Sequence, residues 1–322
     1  MPASLETMGS ADETFRLAVM RRSTRLPAKV TRRALTRYGV LLFAAVACRS
    51  TPGPPPSASP SPHPPTPVAQ GPALAEDPVL PHQTFTIESK VLAEPRRIHV
   101  YTPPGYDGSA KAYPILYMPD GGLQEDFPHV TADVDALVRA GAIRPMIVVG
   151  IENTERRRDM TGPTTVESDR KIAPRVGGSA AFRAFIRDEL MPEVGRRFRG
   201  DGETAIVGES LAGLFVLETF LEEPGLFDTS IALSPSLWWN DQALVRGAGE
   251  RLRSRPDGRA TLFVASASDD GLEETAGALA AALRADAPAS VAWYYEPMPQ
   301  LLHSTIYRGA SRAVFRKLFP PR

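Results

Sequence analysis

The residues best suited to chemistry stand in the stretch T-A-I-V-G-E-S-L-A-G-L-F-V-L, residues 204–217. An apolar strand is expected to end at Val207 and a helix to begin at Leu211, with Gly208, Glu209 and Ser210 between them. A serine at such a strand-to-helix elbow has a strained backbone, so its neighbours two positions away must be small, as Gly208 and Ala212 are. The helix N-terminus then points at the hydroxyl, and the Leu211 N–H faces an oxygen that becomes negative when Ser210 attacks an acyl carbon. The plainer reading is a helix-capping serine after a glycine turn.

A serine hydroxyl is a weak nucleophile without a base. In elbow hydrolases the order along the chain is Ser, acid, His. Of the five histidines, His63, His82, His99, His129 and His303, only His303 follows Ser210, in Q-L-L-H-S-T-I-Y ahead of the last helix. The acid should follow the strand 262–265, where S-A-S-D-D-G-L-E-E offers Asp269, Asp270, Glu273 and Glu274. Asp270 is the preferred partner. Helix N-terminal charge explains any of these carboxylates equally well, and a Ser–His dyad is the alternative. A second oxyanion donor is expected from P-D-G-G-L-Q, where Gly121 and Gly122 let a backbone N–H approach the substrate closely.

Elements must hold these groups. Alternation at Phe85 and Ile87, then Ile98 and Val100, predicts half-buried antiparallel strands. Short unbroken apolar runs at 114–118, 146–151, 205–207, 231–233, 262–265 and 291–294 predict central strands covered on both faces. Helical periods lie between them: one capped by Ser179 and burying Phe182, Phe185, Ile186 and Leu190, one from Leu211 through Thr219, one over 272–283, and a last over 306–318. Strands alternating with helices give an α/β fold with a mainly parallel central sheet and helices on both faces, as one domain over residues 83–322.

With these motifs in place, the chain from about Phe85 to Phe319 resembles the putative-esterase family of α/β-hydrolases, closest to its enterochelin and salmochelin esterase branch and related to feruloyl esterases. The segments that carry the likeness are F-T-I-E-S-K-V-L-A-E-P-R-R-I-H-V-Y-T-P-P-G-Y, Y-P-I-L-Y-M-P-D-G-G, V-V-G-I-E-N-T-E-R-R-R-D-M-T, G-E-S-L-A-G-L-F-V-L, S-P-S-L-W-W and H-S-T-I-Y. The resemblance implies an α/β-hydrolase fold, Ser210 as nucleophile, His303 as base and donors near Gly122 and Leu211. It also implies a substrate-facing arginine, whose place Arg158 occupies. Three departures stand out: Glu209 where relatives often carry His, an extra residue at Gly162-Pro163, and Asp where many relatives have Glu. Trp238 and Trp239 follow the strand ending at Leu233, and Trp238 is the candidate pocket wall, with core packing the alternative.

The first 82 residues carry no chemistry. Arg21, Arg22, Arg25, Lys29, Arg32, Arg33 and Arg37 precede an apolar run at 40–47 that ends at Cys48. This is the pattern of a secretory signal, too short for the roughly 20 apolar residues of a membrane span. A-V-A-C resembles a lipobox, so residues 1–48 read as an export segment with Cys48 lipidated; the alternative is a cleaved signal in which Cys48 is incidental, or a true start at Met20. Residues 49–82 read as a proline-rich disordered tether. The expected place is therefore the periplasm or cell envelope, with membrane contact only through the anchor or signal.

Composition removes other classes. The 37 basic residues equal the 37 acidic ones, so no global field recruits nucleic acid. One cysteine excludes an intrachain disulfide and a thiolate-rich zinc site, and no cofactor or metal is expected. The reading is an exported serine ester hydrolase acting on small to medium esters, a siderophore trilactone among them. The alternatives are an acyltransferase of the mycolyltransferase type and a catalytically silent binding lipoprotein on the same scaffold. The substrate and the oligomeric state are left open.

Overall fold

The computed structural model describes residues 77–268 and 273–322. Eight strands form one sheet: β1 (Gln83–Ser89), β2 (Glu94–Tyr101), β3 (Tyr113–Met118), β4 (Ile147–Ile151), β5 (Gly200–Glu209), β6 (Thr229–Leu233), β7 (Ala260–Ala267) and β8 (Val291–Met298). Their order is β1-β2-β4-β3-β5-β6-β7-β8. The β1–β2 and β2–β4 pairs are antiparallel, and every other pair is parallel. The helices are α1 (Phe127–Arg139), α2 (Arg156–Asp159), α3 (Glu167–Arg170), α4 (Ser179–Phe185), α5 (Met191–Arg197), α6 (Ser210–Glu222), α7 (Trp239–Arg246), α8 (Ala248–Arg253), α9 (Glu273–Asp286) and α10 (His303–Leu318). A π-helical turn, Ile186–Leu190, joins α4 to α5.

Two apolar cores explain why the central strands read as unbroken apolar runs. Tyr117, Val149, Ile206, Ala232 and Val264 face one core with Phe215 of α6 and Leu279 of α9. Their neighbours Leu116, Met118, Val148, Val207, Ile231 and Phe263 face the other core, with Val130 and Val134 of α1 and Ile306, Val314 and Phe315 of α10. Successive strand residues point to opposite faces, so a strand covered on both sides must be apolar throughout. The chain has the α/β-hydrolase fold expected from its sequence.

Three details differ from the sequence expectation. Strand β8 is not central: it lies at the sheet edge, where Ala292 and Pro297 are exposed. Ser179 does not cap α4; it is the first helical residue, and its hydroxyl donates to the Glu218 carboxylate at 2.6 Å. The segment 77–82, read as the end of the tether, packs on the domain: Leu80 joins the α1–α10 core and Asp77 pairs with Arg308.

Candidate active site

Strand β5 ends at Glu209 in extended geometry, and α6 begins at once with Ser210 at φ 59°. Only a crowded turn holds a serine in this left-handed region. The crowding is measurable: a Cβ on Gly208 would lie 2.6 Å from the Ala212 backbone, and one on Gly213 would lie 3.0 Å from the Leu233 carbonyl. The Ser210 carbonyl accepts the Ser236 N–H at 3.0 Å, which ties the elbow to the segment after β6.

Ser210 Oγ lies 3.0 Å from His303 Nε2. His303 is not in a loop, as expected, but opens α10. Its place follows from packing: Ile306, Ala310, Val314 and Phe315 stand on the sheet and fix the N-terminus of the helix over the elbow. The buried Ser236 brings its Oγ to 3.4 Å from Ser210 Oγ, and Glu209 Oε1 lies 3.1 Å from His303 Nε2. The preferred acid, Asp270, and its neighbour Asp269 lie outside the described residues, as does the side chain of Glu273. The other described histidines serve packing. His129 approaches Asp133 and Ser311 inside the α1–α10 contact, His99 lies between Thr84 and Glu152, and His82 bonds the Leu80 carbonyl.

The segment after β3 forms the other wall. Asp120 sits at φ 55°, and its carboxylate accepts Arg156 Nε at 2.6 Å, Arg156 Nη2 at 2.8 Å and Asn153 Nδ2 at 2.5 Å. Gly121 touches β4 so closely that a Cβ would lie 2.2 Å from the Ile151 nitrogen. The Gly122 N–H, the expected oxyanion donor, points at the Glu125 carboxylate, 2.6 Å away. Burial, together with the nearby Asp120, raises the Glu125 carboxyl above its usual range, against the bond from Gly122. Asp126 is pushed up to about 6, first by burial and then by Asp120. Leu211, the other expected donor, stands in the first turn of α6, where backbone N–H groups have no helical acceptor.

The arginine expected to face substrate is held by carboxylates. Arg158 donates through Nε to Asp159 at 2.6 Å and through Nη1 and Nη2 to Glu94 at 3.0 and 2.5 Å. Asp159 and Arg96, both fully buried, complete this ion network, and the bond from Arg158 holds the Glu94 carboxyl below its usual range. Arg158 is thus anchored by the carboxylates of Glu94 and Asp159. Arg156 is the arginine on the Asp120 side, close enough for the Glu209 charge to act on it. Arg156, Arg157, Arg158 and Arg175 also line an open pocket of about 520 Å³. The tryptophans divide: Trp239 is buried and donates to the Gly162 carbonyl at 2.9 Å, whereas Trp238 is exposed and packs edge-on against it.

Sequence reasoning missed Arg156, Ser236 and Glu125, and noted Glu209 only as a departure. Arg156 and Arg158 are adjacent in an R-R-R run, and no single-sequence signal separates them. Among the described residues, no group of three or more His, Cys, Asp or Glu side chains is placed to hold a metal, and no helix is long and apolar enough to cross a membrane.

Residues 89–304 match the family described as Putative esterase, and the chain belongs to it. It is 34% identical over 174 residues to the ferri-bacillibactin esterase BesA of Bacillus subtilis, covering 48% of this chain and 58% of that protein. It is 29% identical over 167 residues to the siderophore enterobactin esterase of Emericella nidulans, covering 44% of this chain and 52% of that protein. The chain therefore spans little more than half the length of these relatives. Among solved structures, an IroE-like serine hydrolase from Shewanella oneidensis superposes with a TM-score of 0.69 at 28% identity, over 74% of this chain and 80% of that one. The siderophore hydrolase EstB from Aspergillus nidulans, at 21% identity, shares the fold with a TM-score of 0.66, over 77% of this chain and 97% of that one.

Proposed function

We propose that this member of the Putative esterase family is a serine ester hydrolase, exported to the cell envelope, whose substrate is the ester linkage of a siderophore. The observation that carries the reading is Ser210 at φ 59° with its Oγ 3.0 Å from His303 Nε2. Serine and base are then within reach of each other on a backbone that cannot relax. His303 takes the hydroxyl proton as Oγ attacks the ester carbon. The Leu211 N–H receives the developing oxyanion, and the Gly122 N–H joins it on release from Glu125. His303 returns the proton to the leaving alkoxide, and water repeats the cycle on the acyl-enzyme.

The relatives' activities support the substrate class, as their names give ferri-bacillibactin and enterobactin as what they cleave. The pocket lined by Arg156, Arg157, Arg158 and Arg175 with one carboxylate, Glu155, has an excess of cations that favours an anionic or catecholate ligand over a cationic one. The basic segment, apolar run and single Cys48 support export and lipidation, with the tether holding the enzyme off the membrane.

A fluorophosphonate probe on the purified protein tests the reaction class. Label is expected on Ser210, and Ser210→Ala should lose label and about 10³-fold or more in turnover at an unchanged melting temperature. A folded, fully active Ser210→Ala protein would end the proposal. A panel of siderophore, feruloyl and short acyl esters then ranks the substrates.

A further inference from the structure

The last residue of β5 does more than precede the nucleophile. The Glu209 side chain is only 17% exposed, and its Oε1 lies 3.1 Å from His303 Nε2. That nitrogen is the one that faces Ser210 Oγ at 3.0 Å. A carboxylate on this side of the ring is distinct from one on Nδ1, where an orienting acid of a triad belongs.

We infer that Glu209 is a positioning residue for proton transfer, acting on the reacting nitrogen of His303. The inference rests on the assignment of Ser210 and His303 above. Before attack, Nε2 presents a lone pair that accepts the Ser210 O–H, and a carboxylate oxygen gains nothing from it. During attack the O–H bond breaks, its electron pair forms the O–C bond, the carbonyl π pair moves to the oxyanion, and the proton forms an N–H bond at Nε2. That N–H then has two acceptors in reach, the leaving-group oxygen and Glu209. When the proton passes to the leaving alkoxide, Glu209 has neither gained nor lost one. The contact with Glu209 strengthens only while Nε2 carries the proton, which is the condition for lowering a barrier rather than tightening substrate binding.

The surroundings keep Glu209 suited to this role. The Arg156 cation acts on it and is itself held by both oxygens of Asp120. From α10 the buried Tyr307 hydroxyl is held well above its ordinary pKa, by burial first and then by the charges of Asp126, Asp120 and Glu209, so it brings no negative charge of its own. The backbone leaves Glu209 little freedom, because β5 is paired with β6 up to Leu233 and Ser210 is locked beside it.

Glu209→Gln tests the inference. Its amide removes the charge at nearly constant shape and is expected to lower kcat about 10- to 100-fold, with KM within about twofold. Fluorophosphonate labelling of Ser210 should slow in the same proportion, because it needs the same proton transfer. Glu209→Asp should recover part of both rates, since the charge is kept. Wild-type kcat and labelling in Glu209→Gln overturns the inference, as does a Glu209→Asp protein as slow as Glu209→Gln. Ser210→Ala, run alongside, separates the two claims: if it is dead while Glu209→Gln matches wild type, only the role of Glu209 falls. If Ser210→Ala keeps full activity, the site assignment falls with it.

Discussion

The two walls of the candidate site, the elbow after β5 and the segment after β3, are built alike and left in different states. Each carries one non-glycine residue in the left-handed region, Ser210 at φ 59° and Asp120 at φ 55°. Each is pinned by a glycine that touches backbone, Gly208 against Ala212 and Gly121 against Ile151. At the elbow the strained residue is the proposed nucleophile, and its hydroxyl already meets the His303 ring. In the segment after β3 the strained residue is an anchor for Arg156, and the neighbouring donor, Gly122 N–H, is held by Glu125. The same device of backbone strain with glycine contact therefore presents a nucleophile in one place and an occupied donor in the other. What separates them is the side chain that meets each: an imidazole at the elbow, a carboxylate at the second wall.

The harshest test breaks both walls at their glycines. A Cβ at Gly121 or Gly208 meets backbone that cannot give way without disturbing the sheet or α6, so either alanine should cost about 3 kcal/mol or more and abolish activity. At Gly122 the nearest atoms to a Cβ belong to the Glu125 and Glu152 side chains rather than to backbone, so Gly122→Ala should stay folded. Thermal melts decide it, and equal losses in all three variants would show that backbone contact is not what distinguishes them.

Next in size is the carboxylate expected to partner His303. Asp270→Asn is expected to lower kcat about 10²-fold or more with little change in KM, because the interaction grows only as His303 takes on charge. Asp269→Asn, Glu273→Gln and Glu274→Gln should do less. Kinetics on the four variants settles the assignment; four wild-type values of kcat would leave a Ser–His dyad.

A smaller effect separates the two arginines. Arg158→Ala leaves buried Asp159 and Glu94 short of a partner and should lower Tm by several degrees, as loss of one member of a buried ion network costs about 3 kcal/mol. Arg156→Ala takes the bidentate partner from buried Asp120, which keeps Asn153, so it should lower Tm as well but also raise KM for anionic esters, which Arg158→Ala should not. Reversed phenotypes would return Arg158 to the substrate side.

The smallest effect sharpens the contrast between the walls. If Glu125 occupies the donor that an oxyanion needs, Glu125→Ala should raise kcat/KM about threefold, part of the roughly 1.5–3 kcal/mol that a charged hydrogen bond contributes. A fall on the same assay would mean that Glu125 holds the segment in shape rather than competing for it.

Much of this was legible in the chain because the signals are local. Unbroken apolar runs marked β3 to β7, since a strand with a core on each face must be apolar at every position. β8 was misplaced because an edge strand can carry an apolar run as well. The elbow was legible because steric demands at Ser210 act within two residues along the chain. His303 was legible by elimination, being the only histidine after Ser210. The choice between Arg156 and Arg158 was not legible. Which arginine meets Asp120 and which meets Glu94 depends on where β2 and the segment after β3 lie beside α2, and neither is near α2 in sequence.

By itself, then, the sequence determined the alternation of strands and helices, the elbow with its small neighbours, and the identity of the one histidine that could follow it. These are consequences of excluded volume and of burial period, which act between residues close in the chain. The tertiary structure alone decided that Glu209 meets His303, that Glu125 meets Gly122, and that Arg158 meets Glu94. Each of those contacts joins a charge to a partner on another element or another part of a turn. Such pairings are set by how the elements pack, because a charge buried on folding must find a partner wherever the packing leaves one.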